Sequence, residues 1–192
     1  LLSVVRREDF VPLAHRALAF VDMEIPLGSQ PGQVMLAPRV QARMVQDLAV
    51  KKTDKVLEIG TGWGGFAIYA ATHYGCKVTT TTISEQQYLL AKSRVESAGL
   101  SDQITLLLDD YRHLQGQYDK LVSIEMIEAV GYQFYDTYFS KVSALLKPDG
   151  LALIQAITIA DQRYESAKKS VDFIQRYIFP GSCIPSNTAM LN

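Results

Sequence analysis

Three groups of residues have types and spacings that could do chemistry. The first is Val56-Leu57-Glu58-Ile59-Gly60-Thr61-Gly62-Trp63-Gly64-Gly65-Phe66. It reads as an apolar strand, a glycine-rich turn and the start of a helix, with an acid two residues before the first glycine. A strand feeding such a turn presents backbone N–H groups and a helix N-terminus to a ligand. Glycine permits the sharp turn and lets ligand and helix come close to the strand. This is the chemistry of a nucleotide-type cofactor site. The second group is Asp109-Asp110-Tyr111, two carboxylates and a ring at a strand end. The third is Glu128, flanked by Ile127, Ala129 and Val130. A carboxylate in apolar company is costly to bury without partners, which favours a functional role.

Which nucleotide is decided by what surrounds the turn. Gly60-x-Gly62-x-x-Gly65 satisfies the dinucleotide fingerprint, so NAD and FAD must be weighed. That fingerprint asks for an acid about 20 residues on, at the end of the second strand, for the ribose hydroxyls. The chain has Thr79-Thr80-Thr81-Thr82 there and no acid. The arrangement Glu58-x-Gly60-x-Gly62-x-Gly64 instead resembles the first motif of class I S-adenosylmethionine (SAM) methyltransferases, where the acid helps hold the cofactor's amino-acid end. Such a site also needs a group beside the adenine near the end of the third strand. Asp109, Asp110 and Tyr111 supply it; alone, the two acids would read equally well as a solvated strand end. Together with Glu58 and the turn they favour SAM over NAD.

The elements that must position these residues follow from periodicity. Residues 55–59, 77–83, 104–108, 120–124 and 151–157 read as strands, rich in apolar or β-branched side chains. A helix over 66–73 ends near Gly75. Ser84-x-x-Gln87 has the form of a capping box for a helix carrying Tyr88, Ala91, Val95 and Ala98 on one stripe, with Gly99 closing it. Phe134, Tyr138, Val142 and Leu145 mark another helix, stopped by Lys147-Pro148-Asp149-Gly150. A last helix is expected over 162–177. Upstream, a short helix is expected around 12–21, a long loop over Pro26–Pro38, and a helix with Val40, Met44, Val45 and Leu48 on one face. Strands alternating with helices imply parallel βαβ units. The fold class is α/β, a Rossmann-like doubly wound, mostly parallel sheet buried on both faces, with its last strands left open. The division is a helical and loop segment, 1–54, packing on a SAM-binding domain, 55–192.

Composition narrows the function classes. The 192 residues are 48% hydrophobic, enough for a full core, and 19 basic against 20 acidic residues give no polyanion-binding balance, so no nucleic-acid partner is expected. Cys76 and Cys183 fit no metal spacing or disulfide framework and read as free thiols of a reducing compartment. His15, His73 and His113 are isolated, so no metal site is expected. Ser84, Ser123 and Ser143 sit in no nucleophile elbow. The apolar runs are strand-sized, too short for a membrane span, and Leu1–Val5 is too short for a signal segment. A chain that opens without Met and stops in a loop-like stretch reads as a segment of something larger.

From about residue 55 to 188 the chain resembles the cyclopropane-fatty-acyl-phospholipid synthases and their mycolic-acid relatives. The residues that carry this are the glycine turn with Trp63, Thr82-Ile83-Ser84-x-x-Gln87, Asp110-Tyr111-Arg112, Ser123-Ile124-Glu125-Met126-Ile127-Glu128-Ala129-Val130-Gly131 and Tyr177-Ile178-Phe179-Pro180-Gly181. The last two are specific to that family. The resemblance implies that Gly60, Thr61, Gly62, Trp63 and Gly64 meet the methionine part of SAM, with Glu58. It places Thr82 and Gln87 near the ribose, Asp109, Asp110 and Tyr111 at the adenine, and Glu125 in the cofactor site. Thr82 and Gln87 have ordinary explanations too, β-propensity and the capping box.

The implied reaction transfers the SAM methyl to a cis double bond of a phospholipid acyl chain, leaving S-adenosylhomocysteine (SAH). A bound bicarbonate then removes a proton. Glu128 matches the glutamate that positions bicarbonate. Many members have a histidine on the fifth strand where this chain has Gln155, which can hydrogen-bond bicarbonate but cannot carry a proton; Ile157 agrees. The family's N-terminal segment, with an active-site cysteine, has no counterpart in 1–54, and its closing portion would lie beyond Asn192. Arg163, Lys168, Lys169 and Arg176, beside Tyr164, Val171 and Ile174, could meet anionic headgroups; a solvated face is the commoner explanation. The expected location is cytoplasmic, with peripheral contact at the inner membrane face open, as is the oligomeric state.

The front of the chain differs. Arg7-Glu8-Asp9-Phe10-Val11-Pro12, Ile25-Pro26-Leu27-Gly28 and Ala37-Pro38 resemble the N-terminal part of protein-L-isoaspartate O-methyltransferases, over about residues 5–60. That family usually has a hydroxyl residue where this chain has Leu36. The rival readings are a carboxyl O-methyltransferase and a SAM-binding domain without catalysis.

Overall fold

The computed structural model describes residues 11–19, 21, 23, 25–26, 34–35, 43 and 46–191. By its contacts the chain divides into two compact units, Leu1–Ala49 and Val50–Asn192.

In the first unit a 3-10 helix spans Leu13–Leu18, where a short helix was expected. Val11, Ala19 and Ile25 form a small buried cluster. The expected long loop contains an antiparallel pair, β1 (Ile25–Pro26) and β2 (Val34–Met35). Proline is tolerated in such an edge pair because its missing donor need not face a ladder. Of the helix expected after Arg39, residues 46–48 are helical and Leu48 is buried; Val40, Met44 and Val45 lie outside the described residues. The motif segments at 7–10, 27–28 and 36–38 lie outside them as well.

The second unit holds a five-stranded sheet in the order β5-β4-β3-β6-β7, every pairing parallel. The strands are β3 (Lys55–Ile59), β4 (Lys77–Thr82), β5 (Ile104–Leu108), β6 (Tyr118–Ile124) and β7 (Leu146–Gln155). The helices are α1 (Gly65–Tyr74), α2 (Glu85–Ser97), α3 (Tyr135–Leu145), α4 (Asp161–Lys168), α5 (Phe173–Tyr177) and α6 (Asn187–Leu191). Strand alternation sorts the core. Leu57, Ile59 and Leu121 pack against Tyr135, Tyr138, Val142 and Leu145 of α3. Val56, Glu58, Val78 and Thr80 take the opposite face, where α1 and α2 bury Ala67, Ala70, Ala71, Ala91 and Val95.

Three expectations are corrected here. Burial on both faces holds for β3, whose last four residues are buried, but not for β7. Among the described residues that strand pairs with β6 alone, Leu151 stays 46% exposed, and the strand starts at Leu146, directly off α3, with Lys147–Gly150 inside it. The single helix expected over 162–177 is two. Asp172 accepts from Gln175 N at 2.8 Å and Gln175 Oε1 accepts from Asp172 N at 3.1 Å, a reciprocal capping box that starts α5 afresh. On α3 the buried position is Tyr135, while Phe134 lies in a preceding 3-10 turn and is exposed.

Parallel strands bring all their carboxyl ends to one edge of the sheet. The strand order reverses between β3 and β6, and the crevice outside such a switch point is where open α/β sheets bind ligands.

Candidate active site

Glu58 is the penultimate residue of β3, near that edge, and the register sets Thr80 of β4 opposite it. Thr80 Oγ1 donates to Glu58 Oε2 at 2.6 Å, and Thr61 Oγ1 lies 2.7 Å from Thr80 Oγ1. All three are buried. Burial pushes the Glu58 carboxyl up to about 8, against the opposing pull of the Thr80 hydroxyl. Thr80 was not singled out from the sequence; the signal was there, since parallel pairing of 55–59 with 77–81 puts it beside the acid.

The turn is anchored by Gly60 N and Thr61 N, both donating to Thr81 O at 3.1 and 2.9 Å. Gly62 is at φ +51, a left-handed backbone that side chains disfavour, and a Cβ there would meet nothing within 4 Å. The turn therefore stays open on that side. Gly60 lies against Met126, and Gly64 packs on Ala91 of α2. Trp63 is half exposed and its carbonyl accepts from Arg94 Nη1 at 2.9 Å.

The expected capping box of α2 is half made. Ser84 Oγ accepts from Gln87 N at 3.3 Å, but Gln87 Oε1 accepts from Thr82 Oγ1 at 2.8 Å instead of capping Ser84 N. Ser84 N is taken by Thr82 Oγ1 at 3.1 Å. The two expected ribose residues are thus joined to one another at the end of β4.

At the end of β5, Asp109 N donates to Thr82 O at 3.1 Å. The Asp109 carboxylate accepts from Asp110 N at 2.8 Å and meets His113 Nδ1 at 2.9 Å, and these contacts lower its pKa, the His113 bond most. Asp110 is held by Arg112 through its Nε, Nη2 and backbone N, and that ion pair lowers its pKa. Tyr111 lies edge-on to Tyr138, ring centroids 5.6 Å apart. Both acids therefore stay ionised and locally braced.

Beyond β6 the backbone folds sharply. Glu125 sits at φ +48, unusual for a residue with a side chain, with its N–H on Gln155 O at 2.8 Å. The Gln155 amide reaches Glu125 Oε1 at 3.4 Å, so it serves Glu125. Glu128 follows in a 3-10 turn, Ile127–Ala129. Its Oε1 accepts from Ile157 N, and its Oε2 is buried without a hydrogen-bond partner among the described residues. Burial raises its pKa, opposed by the Ile157 N–H.

The segment after β7 is strapped over this turn. Cys183 N donates to Glu128 O at 2.9 Å, Tyr135 Oη donates to Cys183 O at 2.6 Å, and Ile159 N donates to Pro185 O at 2.9 Å. Gly131, at φ +83, is so close to Gly181 that a Cβ would lie 2.6 Å from the Gly181 carbonyl oxygen. The two motifs specific to the resembled family thus meet in space. Gly131→Ala is expected to cost about 2–4 kcal/mol of stability through strain and overpacking, seen as a lowered Tm, and an unchanged melt would refute this close packing. Among the described residues no group of three or more His, Cys, Asp or Glu could hold a metal. A surface depression lined by Arg112, Asp136, Thr137, Ser140, Lys141 and Ala144 holds none of the candidate residues.

Comparison with known proteins identifies the family. The family model described as Mycolic acid cyclopropane synthetase matches residues 38–192. It begins earlier than the resemblance at 55 and leaves the segments at 7–12 and 25–28 outside. Tuberculostearic acid methyltransferase UfaA1 of Mycobacterium tuberculosis is 42% identical over 150 residues, covering 78% of this chain and 35% of that protein. The cyclopropane-fatty-acyl-phospholipid synthase of Escherichia coli (strain K12) is 42% identical over 152 residues, covering 78% and 37%. The crystal structure of mycolic acid cyclopropane synthase CmaA1 complexed with SAH and CTAB matches with a TM-score of 0.69 at 25% identity, over 78% of this chain and 57% of that one. The chain spans about a third of the length of these two curated relatives.

Proposed function

This chain belongs to the mycolic acid cyclopropane synthetase family, and we propose that it is a SAM-dependent methyltransferase acting on the double bond of an unsaturated phospholipid acyl chain. The observation that carries the reading is Glu128: one carboxylate oxygen is pinned by Ile157 N–H and the other is buried with no partner among the described residues. A buried acceptor left unsatisfied is costly, and a ligand that donates a hydrogen bond relieves it. The hydroxyl of bicarbonate is such a donor, and bicarbonate held there is the base that this reading requires.

The residues fit the cofactor. SAM, when bound, supplies an electrophilic methyl group and leaves SAH. Glu58 and the open side of Gly62, with Gly60, Thr61, Trp63 and Gly64, would hold its amino-acid end. The Thr82–Gln87 pair would serve the ribose, and Asp109, Asp110 and Tyr111 the adenine. Glu125, held by Gln155, would stand between that site and Glu128. The catalytic contribution of these residues is positioning and exclusion of water, which protects a cationic acceptor from capture.

A phospholipid acceptor also asks for a surface that meets lipid. Val171, Phe173, Ile174, Tyr177 and Phe179 are exposed beside Lys169 and Arg176, a mixture suited to peripheral contact. Lys168 is engaged by Glu165 at 3.0 Å and by the Tyr132 and Tyr164 rings. Among the described residues no helix is long and apolar enough to cross a membrane. Incubating the chain with SAM, bicarbonate and vesicles of unsaturated anionic phospholipid, then sedimenting the vesicles and weighing their lipids, tests both parts. The expected result is co-sedimentation and acyl chains heavier by one CH2; unmodified lipids with SAM consumed on another acceptor would refute the lipid reading.

A further inference from the structure

One of the three linked groups in the Glu58 cluster, Thr80, has no assigned part in the proposed reaction beyond local structure. Glu58 is the only acid among them. Its register partners on the two flanking strands are Thr80 and Val122, neither of them titratable. The hydroxyls make a chain with a direction. A threonine has one hydroxyl hydrogen, and Thr80 gives it to Glu58 Oε2 at 2.6 Å. Thr80 can then only accept from Thr61, so across the 2.7 Å contact Thr61 is the donor. The order Thr61 to Thr80 to Glu58 is the one a carboxylate requires. A protonated Glu58 can donate as well as accept, so the order is compulsory only when the acid is ionised.

Thr61 belongs to the glycine turn itself, between Gly60 and Gly62, while Thr80 is a fully buried strand residue. The chain therefore connects the ligand-facing turn to the acid through the interior of the sheet. Burial makes the ionised acid expensive here, so a donor aimed at it has leverage on when it ionises. A bound ammonium group, as in the amino-acid end of the cofactor, would complete the set of partners that an ionised carboxylate wants.

We propose that Thr61 and Thr80 are positioning residues that orient Glu58 and hold it as a carboxylate when a ligand's ammonium group arrives, so that ligand binding is coupled to loss of one proton from Glu58. The proton leaves to solvent, no covalent bond other than that O–H is broken, and the two hydroxyl hydrogens end in the order Thr61 to Thr80 to Glu58. The inference rests on reading Glu58 as the partner of the cofactor's amino-acid end.

The test is calorimetry of the full chain with SAH, in buffers of different ionisation enthalpy, between about pH 6 and pH 9. The wild type is expected to release a proton on binding. Thr80→Val keeps the volume and removes the donor; it is expected to weaken SAH at least about tenfold at neutral pH and to move the rise of affinity to higher pH. Thr80→Ser is expected to restore both, and Thr61→Val to shift the profile in the same direction by less. A merely structural role would lower Tm without moving the pH profile. Wild-type affinity and profile in Thr80→Val, with Glu58→Gln still impaired, would overturn the relay alone. Unchanged affinity in Glu58→Gln would overturn the reading of Glu58 and the relay with it. Should Thr80→Val not fold, Thr61→Val decides, an unmoved profile overturning the proposal.

Discussion

Glu58→Ala is expected to weaken SAM and SAH roughly thirtyfold or more, the loss that follows when one partner of a buried charged pair is removed. The wild type should also bind in a pH-dependent way. Burial raises the Glu58 carboxyl to about 8, so at neutral pH the free protein mostly holds it protonated. An ammonium ligand prefers the ionised form. Affinity should therefore climb about tenfold per unit as pH rises, and level off above the folded pKa.

Stability runs the other way. The unfolded acid loses its proton near its ordinary value of 4.5 and the folded one only near 8, so the folded state carries the extra proton across that window. Stability is full below the lower value and declines as pH rises through the window. Glu58→Gln removes the buried charge but keeps a hydrogen-bonding partner for Thr80. It should melt higher than the wild type above about pH 8, by an amount worth a few kcal/mol, while binding SAH poorly. Thermal melts and calorimetry at two pH values check this. A flat affinity profile, or a glutamine variant less stable than wild type in alkali, would count against it.

Glu128→Gln is expected to lower turnover of lipid roughly 10²- to 10³-fold, the scale of lost proton-transfer assistance, with SAH affinity unchanged. The substitution keeps an oxygen for Ile157 N–H, so the strap over the turn stays tied. What changes is the second atom: an acceptor buried without a partner among the described residues becomes an amide that donates. Wild-type turnover should rise when bicarbonate is added to a depleted solution, and the glutamine variant should respond weakly. Equal turnover in both proteins, or a parallel loss of SAH affinity, would sink this role for Glu128.

The turn from Gly60 to Gly65 and its acid were legible in the sequence because a strand, a tight turn and a helix start are local events, dictated by neighbouring residues. The same holds for the α2 cap at Ser84 and the close at Gly99. The structure departs from local pattern where a more distant partner decides. Gln87 looked like a box for Ser84, but Thr82 outcompetes the cap for its oxygen. The break that starts α5 turns on the reciprocal bonds of Asp172 and Gln175, which helical periodicity alone does not reveal. β7 is apolar enough for an interior strand, yet among the described strands it lies at an edge beside β6.

The sequence by itself determined the fold class, the cofactor-type turn and the presence of a carboxylate in apolar company at Glu128, because each depends on residue type and short-range spacing. Only the tertiary structure decided which side chains act together. Parallel pairing of β3 with β4 set Thr80 on Glu58, and the return of the segment after β7 set Ile157, Gly181 and Cys183 on the Glu128 turn. Those contacts join residues dozens of positions apart, and burial at the carboxyl edge of the sheet raises the pKa of Glu58 and Glu128.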